Sequence, residues 1–194
     1  MVKVNRKEAE PMKEGYVDNR FASLYYKEMG QGMPLIMLHG NGESHEIFAR
    51  LSELMSRYYR VILMDSRGHG SSLMKEEAAG GDLTIPDMAA DVVQVMEFLH
   101  VPRAVILGFS DGANVALETA SCYPGRVSAV VAVSGNALPR GMSAASLMEV
   151  KIKYALWRGL EKVPLPRGVR ERAVKSRQLL GLMARWPRLD KEKL

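Results

Sequence analysis

Apolar residues alternate between two rhythms along this chain. Unbroken apolar runs occur in "PLIMLHG", "RVILMDSRGHGSS", "RAVILGF" and "RVSAVVAVSG". Runs apolar on both faces predict strands buried inside a parallel sheet. Between them, apolar positions recur at three- and four-residue spacing, the signature of an amphipathic helix. One such stripe starts after Ser44 and comprises Ile47, Phe48, Leu51, Leu54, Met55 and Tyr58. A second comprises Ile85, Met88, Val92, Val95 and Leu99, with Thr84 as its N-cap and Asp87 three residues on as an acidic capping partner. A third helix is expected over Asp111 to Tyr123, stopped by Pro124-Gly125. Ahead of all these, "YVDNRFASLYYKEMG" alternates in strand fashion around the turn residues Asp18-Asn19 and predicts a hairpin. Strand and helix in alternation predict an α/β fold, a mostly parallel sheet with helices on both faces.

The rhythm changes after Gly135. "NALPRGM" reads as a linker. A helix from Ser143 carries Leu147, Val150, Tyr154 and Trp157, "VPLPRG" breaks it, and a second carries Val169, Ala173, Leu180 and Met183 up to Pro187. The pattern divides the chain into an α/β core over residues 1–137 and a helical segment over 138–194, laid over one edge of the sheet.

Charge sharpens this division. Residues 1–137 hold 13 basic against 17 acidic residues, net −4, while residues 138–194 hold 14 against 5, net +9. Such asymmetry can mark a nucleic-acid or anionic-membrane surface. Here the basic residues are interleaved with an apolar stripe and no nucleic-acid motif accompanies them, which favours a solvated helical face. No run approaches the ~20 apolar residues of a membrane span. The charged start "MVKVNRKEAEPMKEG" has no apolar core of a signal peptide. With Cys122 as the single cysteine, the expectation is a cytoplasmic protein without nucleic-acid or membrane partners. The 13 methionines read as flexible core filler.

The candidate chemistry sits in "RAVILGFSDGANVALETA". A buried strand ends at Ser110, between Gly108 and Gly112, and a helix opens at once. A serine pushed out of so tight a corner needs small residues two positions either side. Ala113, Ala116 and Ala120 extend the small face along the helix. The helix start directs unpaired N–H groups and the positive dipole end towards the serine oxygen. Gly-x-Ser-x-Gly between strand and helix is the context of a nucleophile elbow.

Three stretches in this order, "MLHGNG", "DSRGHGSS" and "LGFSDGAN", resemble the α/β-hydrolase superfamily over nearly the whole chain. The helical segment after "VAVSGNALP" resembles that family's cap. The resemblance implies Ser110 as nucleophile and the backbone N–H groups of Asp111 and Asn41 as the two oxyanion donors. It implies an ester or amide of a small molecule as substrate, cleaved through an acyl-enzyme. His39 and His69 are expected to hold neighbouring backbone, His45 to lie at the surface or pocket rim, and His100 to end a helix. Asp65, at a strand end on the active-site side, receives no catalytic assignment.

The family order is Ser, then Asp or Glu, then His. Residues 111–194 contain no histidine, and Glu118, Glu149, Glu161, Glu171, Asp190 and Glu192 lie on predicted helices or at the tail. The triad acid and base are therefore unassigned, and the expectation is a C-terminally incomplete hydrolase. The alternatives are a non-catalytic remnant that binds a small ligand or partner, and a basic segment that contacts nucleic acid or membrane. No metal cluster, P-loop or dinucleotide fingerprint is present in the sequence, so no cofactor or metal is expected. The strand "VSAVVAVSG", apolar on both faces, is expected to present an open edge through which the chain self-associates.

Overall fold

A computed structural model describes residues 12–76 and 83–135, together with Met148 and Ile152, both helical. The boundary between residues 137 and 138 and the two later helices lie largely or wholly outside the described residues.

The hairpin comprises β1 (Lys13–Asp18) and β2 (Ala22–Met29), with Asp18 facing Ser23 at its closed end. The turn is fixed by Asn19, whose side-chain oxygen accepts from the N–H groups of Phe21 and Ala22 at 2.8 and 2.7 Å. There follow β3 (Met33–Leu38), α1 (Ala49–Met55), β4 (Tyr59–Met64), the two-residue β5 (Leu73–Met74), α2 (Ile85–Phe98), β6 (Ala104–Phe109), α3 (Asp111–Cys122) and β7 (Val127–Val133). All strands join one sheet in the order β1-β2-β4-β3-β6-β7, with β5 on β2. β4, β3, β6 and β7 run parallel to one another, whereas β1, β2 and β5 pair antiparallel. The sheet is thus mixed, parallel where helices connect its strands.

Two cores flank it. One packs Leu24, Ile36, Ile62 and Ile106 against Met88, Val92, Val95 and Met96 of α2 and Val115 and Ala116 of α3. The other packs Leu35, Met37, Val61 and Leu63 against Phe48, with Leu51 and Met55 of α1 beside them. Alternate residues of each central strand enter opposite cores, as pleating requires. This is why the central runs are apolar throughout.

Two expectations are corrected. The stripe after Ser44 overstates its helix: residues His45–Phe48 form a 3-10 turn, α1 ends at Met55, and Ile47, Leu54 and Tyr58 are exposed. Tyr58 falls in the turn that leads into β4, so helical spacing no longer applies to it. The fourth apolar run, read as a buried strand and also as one left open at the sheet edge, is mostly exposed in β7, with Val127 buried. Thr84 does cap α2, accepting from the N–H of Asp87, but the carboxylate of Asp87 accepts from the Thr84 hydroxyl rather than reaching back to its N–H.

Parallel register aligns the strand ends. Leu38 pairs with Met64 on one side and with Gly108 on the other. The residues just beyond this register, His39-Gly40, Asp65-Ser66 and Phe109-Ser110, consequently meet along one edge of the sheet. In open α/β sheets this carboxyl edge is where ligands bind.

Candidate active site

Ser110 sits between β6 and α3 with φ 53° and ψ −117°. A non-glycine residue at such angles costs on the order of 1–3 kcal/mol and needs surroundings that enforce it. Here they do. The Ser110 N–H donates to the Val133 carbonyl at 2.9 Å, and its own carbonyl accepts from the N–H groups of Ala113 and Asn114 at 3.0 and 3.3 Å. A Cβ at Gly108 would collide with the Gly112 backbone, and one at Gly112 would meet the Leu38 and His39 carbonyls. The two glycines therefore let α3 start against the sheet, which presses the serine outward. The N–H groups of Asp111 and Gly112, in the first turn of α3, have no acceptor within the helix.

The loop after β3 approaches from the other side. A methyl group on Gly40 would stand 3.1 Å from Ser110 Cβ, so the Gly40 backbone adjoins the nucleophile position. Residues 40–43 form a turn in which the Glu43 N–H donates to the Gly40 carbonyl at 3.3 Å, with Gly42 at φ 78°. Positive φ at the third residue is the requirement of a type II turn, which favours glycine.

The buried His39 ring fixes the same carbonyl. The Ser66 N–H donates to His39 Nε2 at 3.1 Å, so that nitrogen carries no proton. Nδ1–H then donates to the Gly40 carbonyl at 2.7 Å. Burial holds the pKa of His39 below the usual imidazole value, which agrees with a neutral ring. Its 3.8 Å approach to Asp65 is therefore not an ion pair. His69 is likewise buried, with Nδ1 3.0 Å from the Arg67 carbonyl and Nε2 3.3 Å from the Asn41 amide.

His45, expected at the surface or the pocket rim, is partly buried and bonded to Asp65. Its side chain is 13% exposed and its Nδ1 lies 3.0 Å from Asp65 Oδ1. Asp65, absent from the candidate residues, is fully buried and also accepts from the His45 and Ser71 N–H groups at 2.6 and 2.8 Å. Its only sequence signal was its place at a strand end. His100 does follow a helix, at φ 54° just beyond α2.

Asp111 lines a small hollow with His39, Asn41, Ser66 and His69. Its Oδ1 accepts from the Asn114 amide at 3.3 Å, while Oδ2 has no hydrogen-bond partner among the described residues. Burial pushes its pKa up to about 6. No histidine or carboxylate hydrogen-bonds Ser110 Oγ among the described residues. No group of three or more His, Cys, Asp and Glu side chains able to hold a metal occurs among them.

The strand order, the strained serine corner and the glycine-bearing loop facing it are those of an α/β hydrolase. A family model described as the alpha/beta hydrolase fold matches residues 33–162, and the chain belongs to that family. Over 104 residues it is 34% identical to the AB hydrolase superfamily protein YisY of Bacillus subtilis, an alignment covering 53% of this chain and 37% of that protein. It is 30% identical over 128 residues to a proline iminopeptidase of Neisseria meningitidis, covering 63% of this chain and 40% of the relative. The chain thus spans about two-fifths of the length of these curated relatives. Among solved structures it matches a hydrolase from Pseudomonas aeruginosa with a TM-score of 0.65 and 22% identity, over 88% of this chain and 71% of the other. It also matches Est816, described as an N-acyl homoserine lactone degrading enzyme, with a TM-score of 0.64 and 25% identity, over 88% and 74% of the two chains. No helix among the described residues is long and apolar enough to cross a membrane.

Proposed function

We propose that this chain carries the nucleophile and oxyanion site of a serine hydrolase acting on an ester or amide of a small molecule. The observation that carries the reading is the conformation of Ser110, φ 53° and ψ −117°, at a strand-to-helix corner where Gly108 and Gly112 leave no room for a side chain. Strain of this kind needs compensation elsewhere and marks a functional position. In this reading Ser110 Oγ attacks the acyl carbon and the hydroxyl proton passes to a base. The bond to the alcohol or amine leaving group breaks as that group takes up a proton. Water then releases the acid from the acyl-enzyme. The negative oxygen of each tetrahedral intermediate accepts from the N–H groups of Asp111 and Asn41. Loss of one such donor costs about 10²–10³ in rate.

The test is reaction with a fluorophosphonate probe. Labelling at Ser110 that disappears in Ser110→Ala supports the reading. Equal labelling of both proteins, or no labelling of the wild type, would favour the alternative of a non-catalytic protein that binds a small ligand or partner.

A further inference from the structure

Glu43 is not among the residues the elbow and its facing loop require, yet it is bonded to the peptide beside Ser110. Its Oε2 accepts from the Gly40 N–H at 3.0 Å, and its own N–H donates back to the Gly40 carbonyl at 3.3 Å. The same residue therefore holds both polar groups of Gly40. A methyl group on Gly40 would stand 2.6 Å from Glu43 Oε2 and 3.1 Å from Ser110 Cβ, so carboxylate and serine both close in on Gly40 and leave no room for a side chain there.

The consequence follows from peptide geometry. In a trans peptide the carbonyl and the N–H point in opposite directions. The Gly40 carbonyl is bound from one side by His39 Nδ1 and from the other by the Glu43 N–H. That fixes the direction of the Asn41 N–H, which belongs to the same peptide unit. With the Gly40 N–H tied to the Glu43 carboxylate, the preceding peptide cannot rotate either. A buried backbone N–H that loses its acceptor is costly, so this bond holds a short glycine-containing turn in one conformation.

We propose that Glu43 is a positioning residue which, together with His39, aims the Asn41 N–H at the oxyanion; the inference rests on the serine-hydrolase reading above. Glu43 acts as an acceptor of the Gly40 N–H, and its negative charge is not what the function needs. A glutamine offers the same acceptor without the charge, whereas alanine offers none.

The experiment measures hydrolysis of p-nitrophenyl acetate and amide hydrogen exchange at Gly40 in wild type, Glu43→Gln, Glu43→Ala and Ser110→Ala. Glu43→Ala is expected to lower kcat by about 10- to 100-fold with KM within about threefold, since a misaimed donor is felt in the transition state. Exchange at the Gly40 amide, which loses its acceptor, should quicken by at least about tenfold, while the rest of the sheet keeps its protection. Glu43→Gln should stay near wild type in both measurements. Wild-type exchange and rate in Glu43→Ala would overturn the inference. So would a Gln variant as slow as the Ala variant, because the charge, as a proton acceptor, would then be the essential property. If Ser110→Ala retains the wild-type rate, the serine-hydrolase reading fails. The exchange result still decides whether Glu43 fixes the loop.

Discussion

His45 is tied to Asp65 twice, by its backbone N–H at 2.6 Å and by its ring Nδ1 at 3.0 Å. The pair closes the far end of the loop that begins at His39, and it links that loop to the turn after β4, where the Ser71 N–H donates to the same carboxylate. Twenty residues separate the partners in sequence. The parallel pairing of β3 with β4 sets them side by side. Asp65→Ala would remove the acceptor shared by the part-buried His45 N–H and ring and by the Ser71 N–H at the surface. The loss of an acceptor for partly buried donors is expected to cost about 1–3 kcal/mol. Thermal unfolding should show a fall of roughly 2–12 °C for a chain of this size. Asp65→Asn, which keeps an acceptor, should lose clearly less. Equal midpoints for Asp65→Ala and wild type would exclude a structural role for the pair.

Asp111 makes stability depend on pH. Burial raises its pKa to about 6 in the folded chain. An unfolded aspartate titrates near 3.9. Between these values the folded state holds a proton that the unfolded state has lost, so stability falls as pH rises through about 4 to 6 and stays reduced above. The full penalty is up to about 3 kcal/mol, and the positive end of α3, which favours the carboxylate, works against it. Asp111→Asn should therefore be more stable than wild type at pH 7.5, with the difference shrinking towards pH 4. Midpoints measured across that range test this, and two parallel profiles would reject it.

The end of α2 offers a stabilising change. The Val101 N–H donates to the Met96 carbonyl at 2.7 Å and the His100 N–H to the Glu97 carbonyl at 3.1 Å, the bond pair of a Schellman cap. His100 occupies the left-handed position of that cap at φ 54°, which glycine adopts without steric cost. His100→Gly should gain about 0.5–1 kcal/mol, a rise of roughly 1–4 °C in Tm, whereas the β-branched His100→Val should lose stability. The opposite order of the two variants in a melting experiment would contradict the cap assignment.

These residues also mark how far the sequence could be read. Apolar runs revealed β3, β4 and β6 because strands covered on both faces must be apolar throughout; β7 carries the same pattern although most of it is exposed. Ser110 with Gly108 and Gly112 was visible because one short segment contains the whole elbow. The pairing of His45 with Asp65 was not, since it arises from register between strands that single-residue patterns do not encode. The two residues of β5 are too few to display a period. Leu54 and Tyr58 misled because their spacing continues a helix that the chain ends at Met55. Glu43 shared a short segment with Gly40, but only the turn geometry revealed that both polar groups of Gly40 belong to it.

β7 leads to the last prediction. Its sequence, VSAVVAV, contains no charge and no proline, and among the described residues it pairs with β6 alone. Val131 and Val133 are 45% and 42% exposed. An apolar edge with unpaired N–H and carbonyl groups is a template for a second strand, and natural edges are commonly protected by lysine, proline or a bulge. The one irregularity in its pairing lies at Ala104/Val105, the far end from the exposed valines. Chains of this sequence are therefore expected to self-associate at micromolar concentration through this edge, which size-exclusion chromatography with light scattering would detect as dimer or larger species. Val131→Lys should shift the population towards monomer, since a charge on an exposed edge disfavours pairing, and should leave the folded sheet intact by circular dichroism. A wild type that elutes as a monodisperse monomer, unchanged by Val131→Lys, would mean that another part of the chain covers this strand.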